Sequence, residues 1–152
     1  MSNQQRPDPI VPYETTLLVR DHCLCLHTQR AARVLARRFD DALRSLDLKS
    51  GQFSLLMSLN RPEPPTLGSV AQLLAMDRTT LTANLKPLER RGLVLVRPDP
   101  ADRRARRLCL TDEGRARLAE AVPVWTRVHA DIDETLAKAN ASDLRQGLNA
   151  LL

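Results

Sequence analysis

Two groups of residues in this 152-residue sequence have the types and spacing to do chemistry. The first is His22-Cys23-Leu24-Cys25-Leu26-His27, two thiols and two imidazoles within six positions. Thiolates react with peroxides, and both groups ligate zinc and its neighbours. Spacing limits what they can do. On one continuous helix, at about 100° per residue, Cys23 and Cys25 point ~200° apart and cannot pair, whereas Cys23 and His27 share a face one turn apart. Those two could provide two metal ligands, with the others coming from a second chain. His22, three positions before Cys25, could neighbour that thiol. The simplest reading of Cys25 is a small, half-buried residue beside an apolar stripe. Cys109 reads as structural, and His129, near Trp125, as a surface or packing histidine.

The second group is basic. Between Arg78 and Arg107 stand nine arginines and lysines against Glu89, Asp99 and Asp102. That segment carries +6 out of a total of +5, so the other 122 residues come to −1. A basic block on a nearly neutral body is the electrostatic footprint of a polyanion binder, unless it is only a solvated face. RNA is disfavoured as the polyanion, because 3% aromatic residues are too few for base-stacking platforms. Enzyme classes find little support: there is no P-loop, no Gly-x-Ser-x-Gly, no His-Glu-x-x-His and no glycine-rich dinucleotide turn among five glycines. No cofactor and no resident metal is expected. No apolar run approaches the ~18 residues of a membrane span. Three cysteines, an odd number, do not suggest a disulfide framework, and the proline-rich start lacks the order of a secretory signal; a cytoplasmic protein is expected.

The elements that must position these groups follow from hydrophobic period and capping. Leu24, Thr28, Ala31, Leu35, Phe39, Ala42 and Leu46 recur at steps of three and four, which predicts one long amphipathic helix over Asp21 to Leu46. A second helix follows Ser50, with Phe53, Leu56, Met57 and Leu59 inward, and stops before Arg61-Pro62-Glu63-Pro64-Pro65. Thr66 caps a short third helix, Leu67 to Leu74, with Val70, Ala71 and Leu74 buried. After a tight turn at Ala75-Met76, Asp77 caps a fourth helix, Arg78 to Arg91, closed by Gly92. Two alternating stretches, 93–96 and 107–110, flank the turn-rich tip Pro98 to Arg104 and read as a hairpin. Thr111 caps a fifth helix with Asp112 and Glu113 in its positive first turn and Leu118, Val122, Trp125, Val128, Ile132 and Leu136 in its stripe. Pro123 should kink it. A sixth helix spans Ser142 to Leu152, with Leu144, Leu148 and Leu151 on one side.

Two short helices joined by a tight turn and followed by a basic hairpin have the order of a winged helix-turn-helix. Leu81, Leu85 and Leu88 form the inward stripe of the fourth helix, leaving Arg78, Thr79, Thr80, Thr82, Ala83, Asn84 and Lys86 for solvent or DNA. Arginine reads guanine, asparagine reads adenine, threonine meets a phosphate or a thymine methyl, and alanine permits close approach. In the hairpin Arg103 and Arg104 are placed for a narrow minor groove, Arg97 and Arg106 are further candidates for DNA contact by the wing, and Asp102 is near enough to brace a guanidinium. Pro87 removes the backbone bond to Ala83 and should loosen the last turn of the helix.

The segments Leu73 to Thr82, Leu88 to Val94, Asp99 to Arg104 and Leu108 to Gly114 together resemble the MarR regulators. The specific part is the wing signature Asp-x-Arg followed by Leu-Thr-x-x-Gly, met here by Asp102, Arg104, Leu110, Thr111 and Gly114. The resemblance extends over roughly residues 20 to 150. It implies a mostly α fold with a small two- to three-stranded β wing, a winged helix-turn-helix over 50–110, and dimerisation helices over 13–49 and 111–152 behind a flexible tail, 1–12. It also implies a homodimer on a palindromic operator of double-stranded DNA, usually a repressor released by a small ligand, often an aromatic acid, or by an oxidant. Counted back from Gln52, Cys25 falls where the organic-hydroperoxide-sensing branch keeps its reactive cysteine, although that branch's tyrosine four residues later is Gln29 here. Cys25, Cys23, His22, His27 and Arg30 are therefore the candidate effector or redox residues, with Arg33 as a further carboxylate receptor; the bland alternative for the arginines is a solvated face. Two other classes stay open: a winged-helix scaffold that binds protein, and a thiol-dependent, peroxide-reactive enzyme.

Overall fold

The computed structural model describes residues 10–152, so most of the expected N-terminal tail, 1–12, lies outside the described residues. Contacts divide the chain into two compact units, one running to Leu35 and one from Ala36 to Leu152. The first holds α1 (Tyr13–His22) and the larger part of α2 (Leu24–Ala42).

A break at Cys23 corrects the expected single helix from Asp21. Cys23 has φ −75° and ψ 104°, an extended conformation that ends α1. Its Sγ then accepts the Leu26 N–H at 3.4 Å, serving the first turn of α2 as an N-cap oxygen would. The constraint that separated Cys23 from Cys25 therefore does not hold, because the two are not on one continuous helix. Among the described residues α1 buries no side chain, and Tyr13, Leu18, Val19 and Leu24 are all more than half exposed.

The second unit runs from the end of α2 through a 3₁₀ turn (Arg44–Leu46), α3 (Ser50–Leu59), α4 (Leu67–Leu73), α5 (Arg78–Arg90), β1 (Val94–Pro98), β2 (Arg106–Leu110), α6 (Asp112–Thr135) and α7 (Ala141–Asn149). Among the described residues seven α-helices thus replace the roughly six expected, the extra one being α1. The sheet has two antiparallel strands, Val94 opposite Leu110 and Pro98 opposite Arg106. The place of a third strand is held by one bridge, Thr66 to Arg107, and by the Leu108 N–H on the Pro65 carbonyl at 2.9 Å.

The core joins Leu43, Leu55, Leu56, Val70, Leu81, Leu85, Leu88, Leu93 and Leu108, each almost wholly out of solvent. Full burial of such a side chain contributes about 1.5–3 kcal/mol. The predicted stripe of α5 is the observed one. Two others shift. In α3, which touches α4, α6 and β2, Leu55 is buried and Met57 is 41% exposed, the reverse of the expectation for Met57. A helix enclosed on several sides buries more than one stripe, and period alone does not say which side stays open. In α6 the buried line is Leu118, Ala121, Val128 and Ile132, while Val122 and Trp125 stand at its edge. The helix runs unbroken through Pro123, as α5 does through Pro87.

Two long-range ties and one shorter one hold the segment before α3. Arg91 donates to the Asp47 carbonyl at 2.6 Å, Arg117 to the Leu46 carbonyl at 2.8 Å, and the Ser50 N–H to Asp40 Oδ1 at 2.6 Å. The carbonyls left open by the 3₁₀ turn and the first amide of α3 are thereby satisfied.

Candidate nucleic-acid interface

Local rules set the turn between α4 and α5. Thr66 caps α4 by accepting the Ser69 N–H at 3.2 Å. At its other end the Met76 N–H reaches the Ala71 carbonyl at 2.9 Å and the Ala75 N–H reaches Gln72 at 3.1 Å, a Schellman closure. Ala75 takes the left-handed position, φ +50°, that glycine fills more easily. Asp77 then starts α5, its carboxylate accepting the Thr80 N–H at 2.8 Å and the Thr80 hydroxyl at 2.6 Å. The Thr80 hydroxyl and amide hold this carboxyl below its ordinary range. The end of α5 repeats the closure with Gly92 at φ +68° and the Leu93 N–H on the Leu88 carbonyl at 3.0 Å.

All seven residues expected to face outward from α5 do so, but they are not equally free. The Thr80 hydroxyl donates to Asp77, and the Thr82 hydroxyl donates to the Arg78 carbonyl at 2.7 Å. Asn84 leans its amide on Met76 Sδ at 3.8 Å. The Arg78 guanidinium lies over Gly68 of α4, where even a methyl group would come within 3.3 Å of it. Thr79, Ala83 and Lys86 are exposed, and no side-chain hydrogen bond engages them among the described residues.

The wing is built on alternation. Val94, Leu108 and Leu110 turn inward and Arg97 outward, while Arg106, on the Leu108 face, is exposed at the strand's end. The signature after it has a structural cause: the Thr111 hydroxyl donates to the Gly92 carbonyl at 2.6 Å and accepts the Gly114 N–H at 2.9 Å. A Cβ on Gly114 would stand 2.1 Å from the Leu93 carbonyl oxygen, so α6 can approach β1 only with glycine there.

The brace expected of Asp102 belongs to Asp99. Asp102 Oδ1 accepts the Arg104 N–H at 2.9 Å, a local turn contact. Asp99, 5% exposed, accepts the Arg107 Nε–H at 2.6 Å and the Ala101 N–H at 2.7 Å. The Ala101 amide first, and Arg107 after it, hold this carboxyl below its ordinary range against the opposing effect of burial. Arg107 also donates to the Pro64 carbonyl at 2.8 Å, tying the wing to the proline connector. Asp99 and Arg107 were not singled out from sequence as site residues. The Asx-turn pattern around Asp99-Pro100 was the available signal. Arg106 folds back to donate to the Arg103 carbonyl at 3.1 Å. Among the described residues no carboxylate pairs with Arg78, Lys86, Arg97, Arg103, Arg104 or Arg106.

The thiol–imidazole group sits at the α1–α2 junction. Cys25 is exposed and its Sγ accepts from Gln29 Nε2 at 3.2 Å. The Nδ1 atoms of His22 and His27 lie 3.1 and 2.9 Å from the carbonyls of Leu18 and Cys23. Arg33 donates to Gln29 at 3.1 Å, and Arg30 is exposed. Among the described residues no three His, Cys, Asp or Glu side chains come together as a metal site. A separate open groove of about 440 Å³ is lined mainly by Phe53, Met57, Leu73, Leu74, Val122 and Trp125, with Trp125 stacked on Phe53 at 6.4 Å.

Known proteins are similar to this chain in sequence and fold. The MarR family profile matches residues 48–105. The organic hydroperoxide resistance transcriptional regulator of Bacillus subtilis is 27% identical over 128 residues, 84% of each chain. The structure is similar to that of the transcriptional repressor CouR bound to a 23-mer DNA duplex, with a TM-score of 0.77 and 30% identity over 88% of this chain and 94% of that one. It is also similar to the M. tuberculosis transcriptional regulator MosR in complex with DNA, with a TM-score of 0.71 and 36% identity over 86% of this chain and 98% of that one. With a capped helix pair, a basic two-stranded wing and these relatives along most of its length, the chain belongs to the MarR family of winged-helix, DNA-binding transcriptional regulators.

Proposed function

We propose that this regulator is a homodimer that represses from a palindromic operator and is released by thiol oxidation or by a small ligand. The observation that carries the DNA part is the set of cations on α5 and the wing that have no carboxylate partner among the described residues, Arg78, Lys86, Arg97, Arg103, Arg104 and Arg106 among them. Carboxylate-paired cations would bring little net charge to phosphates; unpaired ones release counterions on binding. Thr79, Ala83 and Lys86 would meet base edges and phosphates in the major groove, joined by Arg78, Asn84 and the methyls of Thr80 and Thr82. Arg103 and Arg104 would enter the minor groove, flanked by Arg97, with Arg106 and Asp102 shaping the tip. Two copies would set their α5 helices about 34–36 Å apart.

Exposed apolar side chains on α1, α2 and α7, among them Leu18, Leu24, Leu144 and Leu148, support the dimer. For release, exposed Cys25 supports oxidation, in keeping with the B. subtilis relative's name, and the groove beside Trp125 has the size and apolar lining to take the ring of a small aromatic ligand. The protein would then work in the cytoplasm, where its DNA is.

Selection of genomic fragments on the purified protein tests this reading, run with and without cumene hydroperoxide, then dithiothreitol, and separately with benzoate. One palindromic site, lost on oxidation and regained with thiol, assigns release to a thiol switch, with Cys25 the first residue to mutate; loss with benzoate assigns release to a small ligand. No enriched site at low salt from a folded dimer overturns the operator reading. A scaffold role instead would leave partner capture unharmed by Arg103→Ala/Arg104→Ala.

A further inference from the structure

The Asp99 carboxylate does more than close a turn. Four contacts converge on this one residue. Its Oδ1 accepts the Ala101 and Asp102 amides at 2.7 and 3.3 Å, its Oδ2 accepts Arg107 Nε at 2.6 Å, and its own N–H bonds the Ala105 carbonyl at 3.1 Å. These bonds fix both sides of the loop that carries Arg103 and Arg104. The strand register places Arg97 directly opposite Arg107, two like charges that would push the strands apart at the base of the tip. Asp99 supplies the opposing charge there, and Arg107 continues the chain of contacts to the Pro64 carbonyl.

Resting on the reading of the wing given above, we infer that Asp99 is the positioning residue for DNA contact by the wing: it holds the tip so that Arg103 and Arg104 project together. It touches no DNA itself, being buried. Its effect on affinity must therefore pass through those two arginines. A residue that merely stabilised the fold would not show that dependence.

A double-mutant cycle separates the two cases. Affinity for an A·T-rich duplex, and for the selected operator, is measured by fluorescence anisotropy at several salt concentrations. Four full-length dimers are compared: native, Asp99→Asn, Arg103→Ala/Arg104→Ala, and the triple variant. The expected result is a loss of about tenfold for Asp99→Asn on the native wing and under about twofold once the arginines are gone. The salt slope should fall with Asp99→Asn as well, because phosphate or groove contacts are lost. Equal losses in both backgrounds would mean a general structural role and overturn the inference, as would no loss on the native wing. If removing Arg103 and Arg104 leaves affinity unchanged, the wing reading itself fails, and that arm shows it without reference to Asp99. Should Asp99→Asn fold poorly, Arg107→Lys keeps the charge while removing the Nε contact, and the same cycle is read with it.

Discussion

Gly114 shows how far one residue can be pinned by its surroundings. Its amide is taken by Thr111, and a side chain in its place would collide with the Leu93 carbonyl at 2.1 Å. Backbone cannot step aside as the tip of a long side chain can. Gly114→Ala is therefore expected to cost about 3 kcal/mol, at the upper end for overpacking, read as a lower urea midpoint at unchanged m. Asp77 works through charge and capping instead. Its folded carboxyl lies below the ordinary value of about 3.9, so its contribution is fully present above that pH and is lost as pH falls through the folded value. Asp77→Asn should leave neutral stability nearly intact, since asparagine also caps. It should flatten the acid limb of the stability profile below about pH 4, which circular dichroism against pH would show.

At the scale of the element, α5 carries an unusual burden, with proline ten residues into a thirteen-residue helix. The helix stays continuous because Leu81, Leu85 and Leu88 are completely buried along its inner side and the Schellman closure at Gly92 holds its end. Packing outweighs the roughly 3 kcal/mol that proline costs in a helix interior. Pro87→Ala restores the amide facing Ala83, and a gain of about 1–3 kcal/mol is expected in thermal unfolding. A loss would mean that the ring's packing, half-buried against its neighbours, matters more than the missing bond. The same competition accounts for α3 and α6, where sequence period placed Met57 and Val122 inward. Neighbouring helices on several sides decided otherwise. The break at Cys23 is of another kind: residue by residue nothing there stops a helix, and Cys23 Sγ can cap only once the chain has turned.

For the whole molecule the distribution of exposed apolar area argues for association. Leu144 and Leu148 of α7 are 45% and 41% exposed, and among the described residues α7 buries none of its side chains. A nine-residue helix with no buried side chain is too short to persist alone in water. The proposed dimer is thus expected to make the thermal midpoint rise with protein concentration. Leu144→Asp/Leu148→Asp should give a monomer in sedimentation and lose operator binding, because one α5 helix reaches only one half-site. A stable, DNA-binding monomer from that variant would remove α7 from the interface.

Much of this protein is determined by its sequence alone. Caps and closures are local, so Thr66, Asp77, Gly92 and Thr111 mark the helix boundaries around α4, α5 and α6 within a few bonds of themselves. The +6 on α5 and the wing is a property of composition along the chain, and the inward stripe of α5 follows from period. What only the tertiary structure decided are the choices among chemically similar residues. Asp99 and Asp102 are both acids beside arginines, but only Asp99 has its carboxylate shielded and in reach of Arg107. Thr79, Thr80 and Thr82 are the same residue on one exposed face, yet two hydroxyls are committed within the helix and one is not. Such differences arise from distances between atoms brought together by folding. Residue type and spacing do not contain those distances.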